Sequence, residues 1–349
     1  MLTNCERNKI LTIIIIIIIV LFSIISIVKE NLPYVLDWKA IIPSIVLIHI
    51  ILLLSILYLL KNKKLNKKVG LSLVVYCCVL LLAIVIIKLT TLQNIKLIKS
   101  DKPNKKFDDP LIVTYNIANI PLYNVKSEEQ FKALIKYLNQ FDIVILQESF
   151  YNPFNKHDKN YLAKELSKEF NVLVSGGPNF FSFKWFDSGL IIASKFDISD
   201  YSFTAYKDSI SIDELSQKGY LQCKLKDENG LELVVFNTHA QAGYYNLYPN
   251  DGFHESTRIN QYRQLILDVE TNTGPLVMAG DFNFRSETER IILRNAQSGR
   301  LFKYYIEYGV DGIYTTQNIL SFNIEDPEYN GENPIGSDHY PLVFSIGIK

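Results

Sequence analysis

Cysteine is scarce in this chain: there are four in 349 residues. Cys77 and Cys78 sit inside an apolar run, Cys5 precedes another, and Cys223 alone remains for everything after residue 106. A disulfide-built scaffold is excluded, and so is a cysteine-based zinc site in the second part. Net charge is also missing, with 36 Lys/Arg against 36 Asp/Glu. That balance hides two different materials. Residues 1–106 hold 15 basic against 4 acidic residues, and the remainder holds 21 against 32. The second part is therefore short of positive charge, which argues against a nucleic-acid partner, because such binding exploits a basic surface. No internal repeat and no glycine-rich phosphate loop occurs. The 48% hydrophobic content excludes disorder.

Long apolar runs are what the first part does have. Three charge-free stretches, 10–28, 40–60 and 69–87, lead the chain. Nineteen helical residues at about 1.5 Å each span roughly 28 Å, close to the hydrocarbon thickness of a bilayer. The run of seven isoleucines from 13 to 19 is β-branched and helix-poor in water, yet in lipid the backbone must satisfy itself and a helix results. Three transmembrane helices are expected, with residues 1–98 as a membrane anchor. The loop 61–68 reads KNKKLNKK, so the positive-inside rule puts it in the cytoplasm, and the chain after the third span emerges in an extracytoplasmic or lumenal space. The expected localisation is integral and multi-pass. His49, without a charged partner in its span, reads as a packing residue.

A short charged linker, 99–106, leads to a domain over 107–349 in which apolar strands alternate with amphipathic helices. Strands are expected at 111–117, 141–146, 190–193, 220–225, 231–238, 276–279, 313–314 and 342–346. Asn229-Gly230 marks a hairpin. Ser127 with Gln130 and Ser286 with Glu289 read as helix-opening capping boxes, and further helices are expected at 158–170 and 257–269. Strands this numerous and mixed imply an α+β domain with a two-sheet core.

Polar residues collect where these strands end: Asn116, Gln147-Glu148, Asn237-Thr238-His239, Gly280-Asp281-Phe282-Asn283, Asp311 and Ser337-Asp338-His339. Any one of them has a plain reading as a cap, a turn or a rim charge. Together, two histidines, several carboxylates and two asparagines at strand ends fit hydrolysis of a phosphate ester. Carboxylate and amide oxygens suit a hard cation such as Mg²⁺. A histidine held by a carboxylate can take a proton from water near neutral pH, and amide or imidazole donors can stabilise charge on phosphoryl oxygens.

The order of these motifs (N, QE, NTH, GDFN, SDH) resembles the endonuclease/exonuclease/phosphatase superfamily typified by deoxyribonuclease I. The resemblance implies an αββα four-layer sandwich and a metal-dependent phosphodiesterase or phosphatase site. It implies Mg²⁺, with Mn²⁺ as a substitute, on Glu148, assisted by Asn116 and Asp338. Asp281 would orient the attacking water and Asn283 would hold the phosphate. His339 would be the general base positioned by Asp311, and His239 would stabilise the transition state or protonate the leaving group. A narrower likeness is to the neutral sphingomyelinase branch, carried by 187–196 (DSGLIIASKF), 218–221 (KGYL), 237–242 (NTHAQA) and the Arg258, Gln261, Gln264 spacing. Gly312 departs from the larger residue common after Asp311. The anchor precedes the domain, whereas animal relatives carry theirs after it.

Two aromatic segments bear on substrate, 179–186 (NFFSFKWF) and 242–248 (AGYYNLY). The second follows His239, and Tyr244, Tyr245 and Tyr248 are expected at the cleft mouth, where rings meet lipid or a quaternary ammonium group. His157 and His254 read as solvated loop residues. The expected function is a membrane-anchored, Mg²⁺-dependent, sphingomyelinase-like phospholipid phosphodiesterase. Its partners are a lipid substrate and the bilayer, and the alternative is an Mg²⁺-dependent endonuclease or another phosphoesterase of the same superfamily.

Overall fold

The computed structural model describes residues 94–348, apart from 103, 122–123, 125, 153–154, 179–183, 245–251, 296–301 and 326–332. Before them it describes only Asn66, Ser72, Val74, Val75, Cys77 and Cys78. The chain divides into two compact units, Met1–Leu89 and Thr90–Lys349. The expected spans 10–28 and 40–60 lie outside the described residues, as does 69–87 but for five residues, all helical. No helix among the described residues is long and apolar enough to cross a membrane.

The second unit is built on two sheets. The first holds seven strands in the order β1-β4-β5-β3-β2-β13-β12. Here β1 is Lys96–Ile98, β2 Leu111–Asn119, β3 Ile143–Ser149, β4 Asn171–Val174, β5 Ile191–Ser194, β12 Ile319–Glu325 and β13 Leu342–Ile348. The second holds six, β10-β11-β9-β8-β7-β6, with β6 at Asp197–Ala205, β7 Gly219–Lys226, β8 Glu232–His239, β9 Leu276–Asp281, β10 Phe302–Tyr308 and β11 Asp311–Thr316. Alternation along each strand sorts the side chains into layers. Ile112, Ile143 and Ile145 meet Leu233, Val235 and Val277 between the sheets. Val113, Val144 and Leu146 face outward onto α1 (Glu128–Leu138) and α2 (Lys159–Leu166). Phe236 and Met278 face outward onto α3 (Gly252–Val269), and Leu293 of α4 (Glu287–Arg294) joins them. Helix, sheet, sheet and helix thus stack in four layers. Both expected capping boxes are present, each with the serine side chain and the third helical residue bonded reciprocally.

A fully buried polar cluster helps tie the sheets together. Asn237 on β8 donates its amide to the carbonyls of Leu146 (2.8 Å) and Ile191 (2.9 Å) in the opposite sheet, and Gln147 donates back to it at 2.8 Å. Residues 96–106, read from sequence as the end of the anchor and a short charged linker, are tied into the domain. Lys96–Ile98 pairs with β4, and the Asn104 amide donates to the Lys226 carbonyl. Phe107 then packs its ring 4.2 Å from that of Phe196.

Candidate active site

Strand register assembles the site. The parallel pairing of β8 and β9 sets His239 beside Asp281, and the antiparallel pairing of β9 and β11 sets Asp281 beside Asp311. Three side chains thus share one row at the end of the second sheet. Across the gap, the ends of β2 and β3 supply Asn116 and Glu148. His339 comes from the loop before β13, where its backbone N–H donates to Ser337 Oγ and Ser337 Oγ donates to the Asn116 carbonyl. A cleft of about 380 Å³ opens here, lined among others by Glu148, His239, Asp281, Asn283, Asp311, Asp338 and His339.

The backbone is bent to aim these groups. Glu148 (φ 53°) and Asn283 (φ 56°) both adopt the left-handed conformation, unusual for residues with a Cβ. Gly189 allows the first of these bends, since a Cβ there would stand 3.1 Å from the Glu148 Cα. Beneath Glu148 lies a buried ion pair, Lys159 with Asp187 at 2.8 Å. Asp187 also accepts from the Tyr151 and Gly189 backbones, and Ser149 N donates to Gly189 O, so the turn carrying Glu148 is held from both sides. Gly312 is explained by its neighbours. A Cβ there would meet the Phe282 and Phe284 rings at 3.1–3.2 Å, so glycine lets Asp311 lie against the packed aromatic layer.

Two overlapping groups have ligand atoms within 4.8 Å of one another: Glu148, His239 and Asp281, and Asp281, Asp311 and His339. Asn116 donates its amide to Asp281 Oδ2 at 2.9 Å, while its Oδ1 accepts from Ala118 N. The expected metal ligand therefore acts in this structure as a donor that holds a carboxylate. Asp338 is exposed at the rim and belongs to neither group. The Asn283 amide donates to the Ala240 carbonyl, and its backbone N–H donates to Asp281 Oδ1.

The two imidazoles differ in charge. His339 Nδ1 lies 2.8 Å from Asp311 Oδ2. Burial pulls the His339 pKa down, but Asp311 outweighs it, and with Asp281 and Asp338 raises it to about 10. Asp311 is itself raised to about 6 by burial, against the pull of His339. His239 is held well below its ordinary value by burial, by Lys218 and by His339. The expected general base is thus the cationic histidine of the two and His239 is the neutral one. Glu148 is pushed up to about 7 by burial and by Asp281, with Lys218 opposing. Buried carboxylates crowded in this way, with oxygen donors converging, fit a hard divalent cation.

Residues given no role from sequence also stand here. Lys218 is buried, with Nζ 2.6 Å from His239 Nε2 and 2.9 Å from the Ala240 carbonyl. Asp213 lies 3.4 Å from Lys218 Nζ and accepts from Gln241, Ala242 N and Tyr244 OH. Lys218 falls within the KGYL likeness, yet nothing in the sequence marks a lysine as buried. Arg285 lines the cleft and donates to the Gly243 carbonyl. Tyr244, expected at the cleft mouth, donates its hydroxyl to Asp213 and sets its ring edge-on to His254. Tyr245 and Tyr248 lie outside the described residues. His254, read as solvated, is buried and 3.1 Å from Ser211 Oγ, and buried His157 lies 3.3 Å from Glu128. In the first aromatic segment, Trp185 and Phe186 are half-buried, both backbones donating to the Leu215 carbonyl.

A family model described as the Endonuclease/Exonuclease/phosphatase family matches residues 113–339. The chain belongs to that family. A sphingomyelinase of Dictyostelium discoideum is 26% identical over 280 residues, which is 68% of this chain and 58% of that protein. The chain therefore spans under two thirds of the relative's length. Among solved structures, SmcL superposes with a TM-score of 0.53 at 15% identity, covering 69% of this chain and all of that one. A beta toxin mutant from Staphylococcus aureus with bound magnesium ions gives 0.53 at 18% identity, over 68% and 99%. Those identities show the shared fold. The likeness to the sphingomyelinase branch read from the motifs agrees with these relatives.

Proposed function

We propose that this chain is a membrane-anchored, Mg²⁺-dependent phosphodiesterase that cleaves the head group of sphingomyelin or a close relative. It releases phosphocholine and leaves the lipid alcohol in the membrane. The observation that carries the reading is the convergence of Glu148, Asp281, His239 and the His339–Asp311 pair on one cleft. The sphingomyelinase relative and the magnesium-bearing beta toxin structure support the substrate and the ion. The apolar runs and the lysines of 61–68 support an anchor, with the domain in an extracytoplasmic or lumenal space.

Glu148 and Asp281 would hold the ion, Mn²⁺ serving as a substitute, and Asn116 would keep Asp281 in place. A cation held there would supply positive charge to polarise the phosphoryl group and the attacking water, and would oppose by repulsion the raised pKa of His339. Asp311 accepts from His339 Nδ1 and so fixes the ring, leaving Nε2, 3.8 Å from Asp281 Oδ2, to exchange the proton of the reaction. Lys218, fixed by Ala240 and Asp213, keeps His239 neutral and adds buried positive charge near the phosphate. Arg285 offers guanidinium donors at the rim.

The test presents the purified full chain with choline phospholipid vesicles and plasmid DNA in parallel, with Mg²⁺ and with chelator. Phosphocholine release that needs Mg²⁺, with DNA intact, is expected. DNA cleavage without phosphocholine would replace this reading by the nuclease. External protease on sealed, oriented vesicles should digest 107–349, and protection of that segment would reverse the topology.

A further inference from the structure

Phe253, in the first turn of α3, is 84% exposed, the most exposed large apolar side chain among the described residues. Ile212, in the short 3₁₀ helix Ser211–Leu215, is 45% exposed. The two belong to one corner: His254 Nε2 lies 3.1 Å from Ser211 Oγ, and Asp213 accepts from Tyr244, whose ring meets His254 at 6.0 Å. Asp213 also faces Lys218 beside His239, so this corner adjoins the cleft. Water-exposed aromatic area of this kind marks a contact surface when it is not scattered singly.

The course of the chain indicates what covers it. Lys96 pairs with Val174, Val174 with Ile191, and Ile191 with Leu146. The chain thus enters the domain at the end of the first sheet that carries Glu148, about 14 Å across three strand spacings from Leu146. The opposite end carries the β7–β8 turn and the start of β2. From residue 87, where the third apolar run stops, to Lys96 is at most about 30 Å of extended chain.

We propose that the Phe253–Ile212 corner is a membrane-docking surface, inserting both side chains into the interfacial region of a lipid bilayer and bringing the cleft onto its head groups. This rests on the lipid-hydrolase reading for its purpose and on exposure and strand polarity for its location. Burial of a phenyl and a branched aliphatic group in the interface supplies the attraction.

The full chain is reconstituted in nanodiscs whose lipids carry brominated acyl chains. Tryptophan is placed in turn at Phe253 and, as a control, at Leu267, exposed on the same helix about 21 Å away. Quenching of the added Phe253→Trp emission but not of Leu267→Trp is expected; equal quenching, or none, overturns the docking surface. In parallel, Phe253→Ser with Ile212→Asn should lower hydrolysis of bilayer lipid about ten-fold or more and leave a short, soluble phosphodiester unaffected. An equal loss on both substrates, or none on either, overturns the proposal too. Quenching of Phe253→Trp, alongside a wild type that releases no phosphocholine, would uphold the surface while the substrate reading falls.

Discussion

Asp311→Asn isolates the electrostatics of the site. From its ordinary value near 6.5, the His339 pKa rises to about 10. That difference is roughly a 3,000-fold gain in proton affinity, or about 5 kcal/mol. It is sustained by Asp311 at 2.8 Å, working against burial. With asparagine at 311 the main opposing charge is gone, so the pKa should fall well below its raised value, burial pulling it down against Asp281 and Asp338. The sign of the linkage follows. A raised histidine pKa contributes stability that is complete below about pH 6.5 and is lost as pH climbs toward about 10, and the variant should lose that dependence. The assay is NMR of histidine-labelled full chain in detergent with chelator present, following the His339 ring against pH. With Mg²⁺ restored, turnover should drop by about 10²–10⁴-fold, because ring orientation and proton affinity are lost together. A His339 pKa that stays near 10 in the variant, or turnover within three-fold of wild type, would refute the reasoning.

Glu148→Gln should weaken Mg²⁺ binding and activity together. Since Glu148 titrates near 7, wild-type affinity measured by calorimetry should fall as pH drops below 7, and the variant should lack that slope. Lys159→Met leaves the buried Asp187 carboxylate without its cation, so denaturant unfolding should show about 3–5 kcal/mol lost. Gly280→Ala places a Cβ 2.1 Å from the Thr238 carbonyl at a φ of 145°. Loss of soluble folded protein, seen by circular dichroism, is the expected result.

Central strands were legible in the sequence because they are apolar on both faces. β2, β3, β8 and β9 lie within a residue or a few of their expected bounds. All four sheet edges, β1, β12, β10 and β6, were missed. An edge strand faces solvent and keeps polar residues, as the exposed and half-exposed run of β6 shows, so its apolar signal fades. β4 was missed too, although β5, equally short, was found. The strand-end motifs placed Glu148, His239, Asp281, Asp311 and His339 together. Lys218, Asp213 and Arg285 join them only through folding, since a lysine's burial depends on what closes over it. Charge states were likewise beyond reach, for they depend on distances between residues as far apart as 311 and 339.

The Asn237 cluster bears on how this protein can fail. Glu148 and Asn116 stand on one sheet, His239 and Asp281 on the other, and their alignment depends on the two layers not slipping past each other. Apolar contacts between sheets resist separation but discriminate poorly among neighbouring offsets, whereas two directed amide bonds select one. A substitution at Asn237, wholly enclosed and touching no solute, could therefore leave a well-folded protein whose halves are mismatched by a fraction of an ångström. In a screen for lost activity it would pass for a lesion of the reacting groups themselves.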